Sequence, residues 1–93
     1  MAISVKPSEN YPHIIMFDGI VLEIFSRNRE ANLRIHLGQL KGIQLSADPG
    51  GRYKLVIRWI GEALPEFQVD EAQRDKTAQL VSTVQQALAT FKF

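Results

Sequence analysis

The sequence contains no cysteine. That excludes disulfides, zinc sites built on thiolates and thiol nucleophiles, and it is compatible with the cytosol. Histidine is scarce as well. His13 and His36 are the only two, and their spacing gives neither a metal pair nor a nucleophile–base pair. Acidic residues are spread over turns and a helix surface, and no glycine-rich motif leads from a strand into a helix. The expectation is a protein that is not an enzyme and that uses no cofactor or metal. A charge excess is missing too: 11 Lys and Arg stand against 10 Asp and Glu, a formal charge of +1. Such a chain has no global field that draws it onto nucleic acid or an anionic membrane. Long hydrophobic runs are absent. The stretch Ile14 to Phe17 is among the longest, far below the ~20 residues that span a bilayer, so no transmembrane segment is expected. Met1 to Pro12 has no apolar run resembling a secretory signal, and a cytoplasmic location is expected.

What is present suits one folded domain over residues 1–93. Of the chain, 45% is hydrophobic and 23% charged, ordinary values for a globular protein. A domain this small leaves much of its surface wet, so its core must pack efficiently.

Periodicity gives mostly strands. Ala2 to Lys6 alternates and reads as a short edge strand within a leader, 1–11; Pro7 and Pro12 bracket a polar loop. His13 to Phe17 and Ile20 to Ser26 flank Asp18-Gly19, a pair that signals a two-residue type I′ hairpin turn. In that register Phe17 faces Ile20 and Ile15 faces Leu22, all inward. Arg27 to Ala31 reads as a loop. Asn32 to Leu37 alternates Leu33, Ile35 and Leu37 against Arg34 and His36. A short turn then leads to a strand near Gly42 to Ser46. Asp48-Pro49-Gly50-Gly51 reads as a type II turn with positive φ at Gly50. Arg52 to Ile60 is the longest strand candidate, with Tyr53, Leu55, Ile57 and Trp59 on one face. Glu66 to Val69 follows.

The last element is a helix from about Glu71 to Phe91. Asp70 and Gln73 have capping-box spacing. Thr77, Leu80, Val81, Val84, Leu88 and Phe91 recur at helical spacing as one stripe. Strands in succession followed by one helix exclude a parallel βαβ arrangement and give an α+β fold of six to seven strands.

The stretch Asn32 to Leu45, Asn-Leu-Arg-Ile-His-Leu-Gly-Gln-Leu-Lys-Gly-Ile-Gln-Leu, resembles one seen in bacterial pleckstrin-homology-like (PH-like) domains. There, a strand ends in an Ile-polar-Leu step before a polar stretch and the next strand. His13 to Ser26 resembles their opening hairpin, Arg52 to Ile60 and Glu66 to Asp70 their last strands, and Asp70 to Phe91 their C-terminal helix. The resemblance covers roughly four-fifths of the chain as a rhythm of elements. It implies a partly open, bent antiparallel β-barrel capped by the helix, and no particular ligand, since this superfold hosts lipid binding, peptide binding and scaffolding.

Three surfaces are candidate sites. Arg27, Arg29 and Arg34, with Glu30 among them, form a thin basic loop. Eukaryotic phosphoinositide-binding relatives grip phosphates from such a loop, but their lysine at the end of the first strand is missing here. The loop is either solvated or an anion site for acidic lipid or phosphate. Arg52, Lys54 and Arg58 share a strand face without the aromatics that stack RNA bases, since Tyr53 and Trp59 lie opposite, so no nucleic-acid partner is expected. Last, Ile14, Met16, Val21 and Phe25 fall on the outer face of the first hairpin, where an antiparallel sheet is usually polar. Either a second layer covers them or they form an interface, in a homo-oligomer or against a partner protein.

Overall fold

The computed structural model describes residues 3–8, 13–25, 33–47, 49–61 and 66–91. The chain is α+β: seven antiparallel strands in two sheets, then one C-terminal helix. The first sheet runs in chain order, β1 (Ile3–Val5), β2 (Ile14–Phe17), β3 (Val21–Phe25) and β4 (Leu33–His36). The second also does, β5 (Leu40–Ala47), β6 (Tyr53–Trp59) and β7 (Glu66–Val69). Among the described residues these strands form two sheets joined at their corners and not one closed barrel. The helix α1 spans Arg74–Thr90 and enters through a 3₁₀ turn, Glu71–Gln73. Among the described residues, no helix is long and apolar enough to cross a membrane.

The apolar alternation seen in the sequence points inward from both sheets. Ile15, Phe17, Leu22 and Ile35 of the first sheet and Leu55 and Ile57 of the second are fully buried. They form one cluster with Leu80, Val81 and Val84 of α1. Leu88 and Phe91 extend that stripe and pack against the cluster half-buried. Each large side chain removed from water in this way contributes about 1.5–3 kcal/mol before entropy is counted.

The corners explain how the sheets meet. At one, His36 and Gln39 bond reciprocally around the 3₁₀ turn Leu37–Gln39: His36 Nδ1 accepts from Gly38 N at 3.0 Å, and His36 N donates to Gln39 Oε1 at 3.1 Å. This capping box turns the chain from β4 into β5 with Leu37 and Leu40 both buried. Leu37 N donates to Ile20 O and Ile60 N to Gln39 O, both at 2.9 Å. At the other corner Asp70 N donates to Pro7 O at 2.8 Å, and Ser8 Oγ donates to Asp70 Oδ1 at 3.2 Å.

Three local expectations are corrected. The β2–β3 hairpin pairs Phe17 with Leu22 and Ile15 with Ile24, a register two residues from the expected one, with Gly19 and Ile20 at its tip in place of Asp18 and Gly19. Asp18 holds this register: its N–H donates to Val21 O at 3.3 Å, and its carboxylate accepts from Ile20 N at 2.9 Å and Val21 N at 2.8 Å, an Asx-type turn. Gly19 takes φ +107° within it. Ile20, expected inside, is left 55% exposed. In the β5–β6 turn the positive φ falls on Gly51, at +78°, and not on Gly50; Asp48 lies outside the described residues. Asp70 does stand at the helix entry, yet its side chain makes no capping bond, because it accepts from Ser8 instead.

Candidate interaction face

Period-two alternation sends every second residue of β1–β4 away from the core. On that outer face Ile14 and Phe25 are direct cross-strand partners, Met16 is opposite Glu23, and Val21 is opposite His36. Ile14 is 42% exposed, while Met16, Val21 and Phe25 are half-buried. The four apolar candidates are thus brought onto one face of two adjacent strands. β1 does not lie over them. It joins β2 edge to edge, turning Ile3 and Val5 inward and only Ser4 outward, opposite Met16.

Among the described residues, one ion pair borders this face. Arg34 Nε lies 3.7 Å from Glu23 Oε2, and the two residues are direct cross-strand partners. Arg34 is the most exposed member, so the pair is worth at most about 1 kcal/mol. It does commit the Arg34 guanidinium to a carboxylate. Arg27 and Arg29 lie outside the described residues, so Arg34 alone of the basic trio is placed. His36, expected to point outward beside Arg34, is exposed, and its ring meets Phe91 edge-on at 5.7 Å.

The outer face of the second sheet is of a different character. It carries Gln44, Ser46, Lys54, Arg58, Glu66 and Gln68 around half-buried Val56, with Lys54 Nζ 3.4 Å from Glu66 Oε2. Tyr53 lies on the inner side, as expected. Arg74 stacks on its ring at 5.3 Å and donates to its hydroxyl at 2.9 Å, so this ring is already used by the helix. Ile60 follows β6 in an exposed bend.

One feature escapes the sequence reading. A half-open groove of about 260 Å³ is lined by Pro7, Ser8, His13, Glu66, Phe67 and Gln68. Pro7 and Ser8 read as loop, yet both are buried, because the Asp70 bonds draw them against the end of β7. His13 meets Phe67 edge-on at 5.3 Å. In nucleophilic catalysis a serine gives its proton to an imidazole that a carboxylate orients. Here the Ser8 hydroxyl donates to the Asp70 carboxylate itself. Among the described residues, no group of three or more His, Asp or Glu side chains is arranged to hold a metal ion.

Compared with known proteins, the chain matches no protein-family model and no curated protein sequence.

Proposed function

We propose that this chain is a non-catalytic, PH-like interaction module that associates through the outer face of β2 and β3. The reading of the fold is supported by the order of elements: seven antiparallel strands in two sheets that share one core, with a helix packed on that core at the C-terminal end. The observation that carries the functional reading is the cross-strand pair Ile14–Phe25 on the solvent side, with Ile14 42% exposed, Met16 next along β2, and Val21 on the same face beyond Glu23. A sheet face of this kind gains about 25 cal/mol for each Å² of apolar area removed from water, an amount that lost rigid-body freedom partly offsets. The partner is a second copy of the chain or another protein. Anionic lipid is the second class of ligand, and the Glu23–Arg34 ion pair weighs against it. Light scattering on a gel-filtration column tests the proposal. Wild type runs above monomer mass at micromolar concentration, and Val21→Glu or Phe25→Glu returns it to a folded monomer.

A further inference from the structure

β5 is the longest strand, with eight residues, and it stands at the end of its sheet. β6 pairs with one of its edges; among the described residues, no strand pairs with the other. Such an edge offers free main-chain N–H and C=O groups to any further strand. The other terminal strands are protected by being short: β1 has three residues, β4 and β7 four each. β5 lacks that protection; α1 packs against it, and two local features add to that cover. A bulge at Lys41, between the Leu40–Trp59 and Gly42–Arg58 pairs, breaks its regularity near one end. Further along, the Ile43 carbonyl is taken by a side chain: Gln85 Nε2, on α1, donates to it at 2.8 Å. A primary amide carries the same kind of N–H donor that the backbone of a neighbouring strand would offer.

We infer that Gln85 guards the edge of β5, occupying the acceptor that a further strand would use and holding this edge back from pairing with a second copy of the chain. Two identical strands meet antiparallel across a two-fold axis, so an unguarded β5 is self-complementary. The guarded edge belongs to the second sheet and is distinct from the outer face of the first, so variants separate the two.

The test uses the full chain carrying Val21→Glu as parent. Gln85→Ala removes the donor, Gln85→Glu sets a carboxylate against the carbonyl, and Gln85→Lys keeps a donor. Light scattering reads mass against concentration, the infrared amide band reads intermolecular β structure, and circular dichroism reads folding. Folded Gln85→Ala and Gln85→Glu proteins are expected to gain mass with concentration and show intermolecular β signal, while Gln85→Lys matches the parent. If either alanine or glutamate variant folds and keeps the parent's mass throughout, or if Gln85→Lys assembles as strongly as they do, the guard is overturned. A failure of the outer-face reading appears in the parent's own mass; a failure of the guard appears in the difference from the parent.

Discussion

Ser8 and Asp70, 62 positions apart in the chain, are joined by a hydrogen bond of 3.2 Å from hydroxyl to carboxylate. The same Asp70 donates its N–H to Pro7 O at 2.8 Å, so a single residue ties the end of β1 to the end of β7. Asp70→Ala keeps the main-chain bond and removes the side-chain one. A hydrogen bond to a charged group is worth about 1.5–3 kcal/mol, and a loss of that order is expected in urea unfolding, with a smaller loss for Asp70→Asn, which keeps an acceptor.

The helix stripe gives a second pair of outcomes with opposite signs. Leu80 is fully buried between α1 and the sheets, and Leu80→Ala is expected to cost ~2–5 kcal/mol; Val84→Asp is expected to unfold the domain. Thr77 is as deeply buried, and its Oγ1 has no hydrogen-bond partner among the described residues. Thr77→Val keeps the shape and removes the unmet polar atom, so it is expected to raise stability by about 1 kcal/mol. Thermal and urea melts of these variants measure each of them.

Asp18 supplies a pH dependence. The N–H groups of Val21, first, and Ile20 hold its carboxyl below its ordinary value of 3.8. The folded state therefore favours the ionised form. The stability this contributes is present above the unfolded value and is lost as pH falls through the lower, folded value. An NMR titration is expected to find the Asp18 midpoint below 3.8, and Asp18→Ala, which removes the acceptor for both N–H groups, is expected to lose that part of the acid dependence. A midpoint at or above the ordinary value contradicts the turn geometry.

The division between what the sequence revealed and what it hid follows from the range of the interactions. Strand faces were legible because burial imposes period two. The hairpin shows how robust that is: its register is two residues away from the expected one, and because the slip is even, Ile15, Phe17, Leu22 and Ile24 still face the core. Only Ile20 changed sides, expelled by hydrogen bonds to Asp18. The helix stripe was legible for the same reason, at period 3.6. The burial of Pro7 and Ser8 was not, because it arises from Asp70, far along the chain, and no local pattern encodes it. The cap at Asp70 failed for the same reason, since its carboxylate was already engaged. The capping box formed by His36 and Gln39 went unread because histidine is an unusual capping residue.

The placement of Arg34 leads to a negative outcome for acidic lipid. Its guanidinium is already paired with Glu23, and the formal charge of the chain is only +1. Wild type is expected not to sediment with acidic liposomes at low salt. Sedimentation that salt reverses, and that Arg27→Ala with Arg29→Ala abolishes, would establish the anion site instead.

The proposed interface is the apolar outer face of β2 and β3. Multi-angle light scattering across a range of concentrations tests it most directly, with circular dichroism as the folding control. Wild type is expected to be a dimer or larger assembly at micromolar concentration, and Val21→Glu and Phe25→Glu folded monomers. A wild-type protein that stays monomeric at every accessible concentration contradicts self-association, and assemblies left unchanged by both substitutions contradict the choice of face.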